Sequence, residues 1–274
     1  MPSMLKCERD DLVNLLKKTQ RQQVVSGKKQ NQVASCILKT KDNRAVTTSI
    51  VKDGVTSLSR FSIPVEVCDG NIPISNIDDM LGVLSMHGQQ ISLSFYSPDK
   101  VKVTSRTKQT TIKSNLKSLA FPHNPETLSE WVDNSEDKAS KFILGEKISY
   151  KTNDGALIEP FYVLNVSANV LYEALRCDGI NSQKLNKYTF TLNGDGVCVE
   201  VGSELKGKTS TLLSEEPVMS DTVCVVNGGL ENTLKLVDGD ILLSFISIGG
   251  VPSLAISLGD GDFLFQAGNR GYSQ

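Results

Sequence analysis

The sequence is poor in the residues that carry chemistry. It has two histidines, His87 and His123, and one tryptophan, Trp131, in 274 residues. His87 closes a helical pattern, where a basic side chain suits the helix dipole. His123 lies in an aperiodic stretch. Neither has a convincing Cys or Ser partner in the sequence, so no nucleophile–base constellation is visible. The six cysteines (Cys7, Cys36, Cys68, Cys177, Cys198, Cys224) form no CxxC pair, which excludes the usual zinc spacings. Cys36, Cys198 and Cys224 fall in alternating apolar runs and read as core thiols. No apolar run is long enough to span a bilayer and no signal-peptide pattern opens the chain, so an intracellular, reduced protein is expected. Excess charge is missing too: 29 basic against 31 acidic residues, a net −2, give no bulk attraction to nucleic acid. With 39% hydrophobic residues the chain is globular rather than disordered. These absences point to a binding or scaffolding protein, with no catalytic residues, metal or cofactor.

Two motifs tempt. Gly202 to Thr209 reads GSELKGKT and fits the phosphate-loop pattern GxxxxGK[ST]. That chemistry needs a helix after the loop, so that backbone N–H groups and the helix dipole meet the phosphates. The residues that follow, Thr209 to Leu213, alternate like a strand, so a β-hairpin is the expectation. Asp238-Gly239-Asp240 and Asp260-Gly261-Asp262 resemble calcium ligands in composition, but fall between strands, where Asp-Gly is turn chemistry.

What is present is pattern. Glu8 to Gln22 has Leu12, Leu15, Leu16 and Thr19 at helical spacing, with Asn14, Lys17, Lys18 and Arg21 opposite. Alternating runs cover Gln32 to Val67. From Pro73 to Ile112 the chain reads as a short helix, N-capped by Ser75 with Asp78 completing a capping box and Gly88 as its stop, then strands at Ile91–Tyr96, at Val101 and Val103, and at Arg106–Ser114. Asn115 to Asp154 loses the periodicity and is expected to be a connector with some local structure. A second unit follows: a strand at Pro160–Val166, a helix at Ala168–Cys177 capped by Ser167, strands at Lys187–Leu192, Gly196–Val201, Leu205–Leu213 and Asp221–Val226, a helix at Gly229–Val237, and closing strands to Ala267. Ile77, Leu81 and Leu84 match Leu230, Leu234 and Val237, and Ile91, Leu93, Ser94 and Phe95 match Ile241, Leu243, Ser244 and Phe245. The chain therefore reads as a tandem α+β repeat with antiparallel sheets and two short helices per unit: domain 1 at 1–115, connector at 116–156, domain 2 at 157–274.

This ordered combination resembles a DNA sliding clamp of the two-domain type, the proliferating cell nuclear antigen and bacteriophage processivity-clamp group. The residues that carry the likeness are the opening helix with Leu15-Leu16-Lys17-Lys18, the stretch Pro73 to Leu84, the repeat of that unit, and the ending Pro252 to Ser257 with Phe263 to Ala267. The resemblance implies a homotrimeric ring that encircles duplex DNA without sequence preference, placed in place by a clamp loader and tethering a DNA polymerase, in the cytoplasm or nucleoid, or the nucleus of a eukaryote. It implies DNA contact by Lys17, Lys18, Arg21, Lys28, Lys29, Arg176 and Lys235. It implies a partner-peptide pocket of Leu116, Leu119, Phe121, Pro252, Phe263, Phe265 and Ala267. It implies a subunit contact between edge strands, with Thr110 and Ile112 on one and Lys208, Ser210 and Leu212 on the other. Asp78 and Asp79 depart from a basic helix face, so topology more than affinity would hold such a ring on DNA. Two other readings compete: a monomeric processivity subunit that binds DNA by charge, and a nucleotide-binding enzyme using Gly202 to Thr209.

Overall fold

The computed structural model describes residues 3–25, 28–52, 56–96, 99–114, 128–176, 187–203, 207–227 and 229–269. In chain order its elements are β1 (Ser3–Glu8), α1 (Arg9–Gln20), β2 (Gln22–Val25), β3 (Lys28–Asn31), β4 (Cys36–Lys41), β5 (Arg44–Lys52), β6 (Thr56–Pro64), β7 (Val67–Asp69), β8 (Asn71–Ile74), α2 (Ile77–Leu84), β9 (Gln90–Tyr96), β10 (Lys100–Thr104) and β11 (Gln109–Lys113). They continue as α3 (Leu128–Ala139), β12 (Phe142–Ile143), β13 (Ser149–Lys151), β14 (Leu157–Ile158), β15 (Tyr162–Ser167), α4 (Ala168–Leu175), β16 (Lys187–Asn193), β17 (Gly196–Ser203), β18 (Gly207–Ser214), β19 (Thr222–Asn227), α5 (Leu230–Leu234), β20 (Asp240–Ile248), β21 (Val251–Ser257) and β22 (Phe263–Gln266). The chain divides into two units. The first holds Met1–Gln20, Gln32–Ile50 and Ser59–Ala139; the second holds Arg21–Asn31, Val51–Leu58 and Ser140–Gln274.

The repeat is one of topology. In the first unit β11, β10, β9, β1 and β7 lie side by side, and β6, β5, β4 and β8 form a second run. In the second unit β22, β21, β20 and β15 repeat the first run, and β18, β17, β16 and β19 repeat the other. Even the register recurs. Cys7 and Leu5 face Ile91 and Leu93 across β1 and β9, and Val166 and Leu164 face Ile241 and Leu243 across β15 and β20. All eight side chains are buried, which is why the alternation was readable: a one-residue slip would expose them. The helices pack in pairs, α1 with α2 and α4 with α5. Leu12, Leu15, Leu16, Ile77, Met80 and Leu84 line the first pair's buried faces. Leu171, Leu175, Leu230 and Leu234 line the second. The architecture is α+β, as expected.

Several details differ from the sequence reading. A strand, β1, precedes α1, and a hairpin, β2–β3, follows it. The cap of α2 is Asn76, whose side chain accepts the Asp79 N–H at 3.2 Å. Ser75 instead hydrogen-bonds Ser114. Ser167 does stand at the N-cap of α4, without a side-chain cap bond. The stretch expected to be a connector is divided: residues to Ala139 belong to the first unit and those from Ser140 to the second. α3 buries Val132, Ser135 and Ala139 and packs on β4, where Lys39 Nζ donates to Asp133 Oδ1 (2.8 Å) and Glu136 Oε2 (2.7 Å). β12, β13 and β14 form a small sheet beside β20, with the Ile148 N–H donating to Ser244 Oγ at 3.0 Å.

Candidate functional site

The exposed faces of the helices are short and mixed in charge. Lys17 is exposed and Lys18 half-buried on α1, preceded by Asp10 and Asp11. α2 exposes Asp78, Asp79 and Gly82 and has no basic residue in its last turn. On α4, Arg176 Nη1 lies 3.5 Å from Glu173 Oε1 and its guanidinium sits 6.0 Å over the Tyr172 ring. Lys235, at the end of α5, is exposed. Glu231 of α5 is engaged locally: it accepts from the Tyr188 hydroxyl and, at 3.1 Å, from the Gly229 N–H.

Arg21 does not join Lys17 and Lys18. α1 ends at Gln20, and Arg21 turns away in the left-handed region at φ 44°. It is 2% exposed, and its Nη1 donates to Ser57 Oγ. Burial pushes the guanidinium down to about 9, still charged at neutral pH. Lys28 and Lys29 stand on β3; their side chains lie outside the described residues.

Among the described residues, two strands end their sheets with an open edge. β11 pairs only with β10 among the described residues, and β18 only with β17. The two edges sit at different positions of the repeat: β11 closes the run that contains β1, β18 the run that contains β16. β11 is held firmly from within. His87, 4% exposed, places Nε2 2.9 Å from Thr110 Oγ1 and Nδ1 3.0 Å from Ser105 Oγ. Burial, with Lys108 nearby, pushes its pKa down, so the ring is held neutral. At the other end buried Ser114 donates to the Pro73 carbonyl and accepts from the Ser75 N–H at 3.0 Å. Nothing in the sequence signalled these two anchors, because each joins positions at least 18 residues apart. On β18, Lys208 Nζ lies 3.5 Å from Glu200 Oε2, Ser210 Oγ lies 2.8 Å from Cys198 Sγ, and Leu212 is 51% exposed. The register shifts opposite Val197 and Cys198, an irregularity of the kind that keeps open strands from aggregating.

The GSELKGKT stretch is an antiparallel hairpin end. Gly202 faces Lys208 and Ser203 faces Gly207, and strand β18 follows where a phosphate loop needs a helix. Gly202 has φ 124°, and a Cβ there would lie 2.3 Å from the Gly207 carbonyl oxygen, so close strand approach accounts for its glycine. Among the described residues no group of three or more His, Cys, Asp or Glu could hold a metal ion.

No protein-family model matches the chain, and no curated protein matches it in sequence. Solved structures match it in shape over nearly its whole length. The beta sliding clamp of C. crescentus shares 11% identity at a TM-score of 0.61, over 97% of this chain and 66% of that one. A. fulgidus PCNA, solved with the C-terminal region of FEN-1 bound, shares 11% identity at a TM-score of 0.61, over 99% of this chain and 100% of that one. The PCNA2–PCNA3 complex from Sulfolobus tokodaii gives 14% identity and a TM-score of 0.59, over 97% and 99%. The fold is that of a DNA sliding clamp. The chain spans just under two thirds of the C. crescentus clamp but the full length of the PCNA chain.

Among the described residues of the expected peptide pocket, the two phenylalanines are buried. Phe263 and Phe265 are 1% and 6% exposed and lie under Phe142, with ring centroids 5.4 and 4.7 Å away. They serve the core because Phe142 of β12 covers that face of β22. Pro252 and Ala267 are half-buried beside them. Leu116, Leu119 and Phe121 lie outside the described residues. Thr110, Ile112, Lys208, Ser210 and Leu212 all fall on the two open edges.

Proposed function

We propose that this chain is the subunit of a DNA sliding clamp: three copies join head to tail, β11 of one to β18 of the next, and close a ring around duplex DNA. The observation that carries the reading is the pair of unlike open edges on a duplicated clamp fold. Unlike edges make a heterologous contact, which generates a ring when the angle closes. Chains of this length with this fold associate with one another in the PCNA2–PCNA3 complex, and one holds a segment of a partner protein, the C-terminal region of FEN-1. By analogy this ring would tether a DNA polymerase and other replication proteins, and a clamp loader would place it on DNA, wherever in the cell the replicating DNA lies.

The mechanism follows from the mixed helix faces. Lys17, Lys18, Arg176 and Lys235 would meet phosphates, a contact that carries no sequence information and permits sliding. The acidic Asp78, Asp79 and Glu173 keep that attraction weak. Encirclement then supplies retention that charge does not, which argues against the monomeric charge-binding alternative. Light scattering tests the assembly: a mass about three times 29.8 kDa at micromolar concentration supports it, and a monomer at every concentration refutes it.

A further inference from the structure

The two open edges carry opposite unsatisfied charge. Around β11, Lys100, Arg106, Lys108 and Lys113 are all exposed, and none makes an ion pair with a described residue. Lys113 even faces Lys100 across the β10–β11 register. At β18 the balance is the reverse. Lys208 is matched by Glu200, and Glu215 and Glu216, just past the strand end, are exposed and without an ion pair among the described residues. Among the described residues, the β11 edge therefore carries cations without ion pairs, and the β18 strand leads into carboxylates without ion pairs.

Resting on the ring assembly proposed above, we infer that this charge selects the partner edge: Arg106 and Lys108 of one copy face Glu215 and Glu216 of the next, with β11 and β18 antiparallel. A two-fold contact of β11 with itself would bring Lys113 of each copy against Arg106 and Lys108 of the other, and like charges directly opposed are destabilising. The unlike pair sets the cations of the β11 edge against the carboxylates past β18, so the joint is head-to-tail. The antiparallel sense follows from the sheets themselves. Every pairing of β1, β7, β9, β10 and β11, and of β16, β17, β18 and β19, is antiparallel, and an added strand of that sense continues both ladders. In that sense the turn bearing Arg106 and Lys108 lies beside the loop bearing Glu215 and Glu216. Such rim charges also steer encounter, so assembly slows as salt rises.

Charge reversal tests the inference. Arg106→Glu with Lys108→Glu, and separately Glu215→Lys with Glu216→Lys, should each raise the concentration needed for assembly at least roughly tenfold. The four changes together in one chain should restore it. All four positions are exposed, and melting followed by circular dichroism verifies that each variant is folded. Three results overturn the inference while the ring reading stands: folded reversal variants that assemble like the parent, a fourfold variant that is not rescued, or a Lys113→Glu defect rescued by Glu215→Lys with Glu216→Lys, the parallel arrangement. A parent protein that is monomeric throughout overturns the ring reading itself, and this inference with it.

Discussion

Phe142→Ala should cost the second unit a large part of its stability. Phe142 is 8% exposed, and three rings surround it, Tyr150 at 5.1 Å, Phe263 at 5.4 Å and Phe265 at 4.7 Å. Truncating a buried phenylalanine to alanine loses its transfer free energy and leaves a cavity, about 3–5 kcal/mol together. Its ring pairs contribute within that figure, at roughly 0.5–1.5 kcal/mol each. Urea unfolding followed by circular dichroism reads the effect. With a slope near 2 kcal/mol per molar urea, the midpoint of the second unit's transition should fall by about 1.5–2.5 M. Phe142→Leu, which keeps most of the volume, should cost far less. A loss below about 1 kcal/mol for the alanine variant would mean that the ring is not packed there. Phe263 and Phe265 would then be open for a partner peptide, and their assignment to the core would be wrong.

Three further outcomes follow from side chains already described. Lys39→Ala removes both contacts to α3 and should speed hydrogen exchange in Leu128–Ala139, at a global cost of only about 0.5–1 kcal/mol because the partners are well exposed. Burial opposes the Lys39 charge, but Asp133 and Glu136 outweigh it and raise the pKa above 10.5; this anchor should hold through neutral pH and be lost only as pH climbs through the raised value. His87 is held below its ordinary value of 6.5, so the unfolded chain takes up its proton first: the His87 contribution is whole above pH 6.5 and is lost as pH falls through the lowered value, a dependence that melts at pH 7.5 and 5.5 should show and His87→Asn should flatten. Arg21→Met should leave the salt dependence of DNA retention unchanged and lower the melting temperature, whereas Lys17→Glu should weaken retention and leave melting nearly unchanged.

The duplicated fold was legible because its sheets are half-buried antiparallel ladders. Ile91 and Leu93 alternate with the polar Gln90, Ser92 and Ser94, and that alternation is the physical signature of one buried face. The open edges were legible for a related reason: β11 and β18 are rich in Thr, Ser and Lys, as strands that meet water are. Arg21 was misread because a helical wheel assumes that the helix continues. Spaced four and three residues from Lys17 and Lys18, it belongs to their face only if α1 reaches it, and the backbone reverses at φ 44° instead. Helix α3 was hidden by its composition: SEWVDNSEDK carries Asp, Asn and Ser, poor helix formers, and its docking depends on Lys39, 94 residues before Asp133. The two-residue strand β12 has no period to read, so the cover that it places on Phe263 and Phe265 could not be inferred.

The claim that matters most is encirclement, and DNA ends test it. The assembled protein is threaded at low salt onto linear duplex DNA, the ends are blocked by biotin–streptavidin, and the salt is raised until charge contacts fail. The account predicts retention on the blocked DNA and rapid loss from the same DNA with open ends. Equal loss from both would mean that charge alone holds the protein, and would contradict the ring.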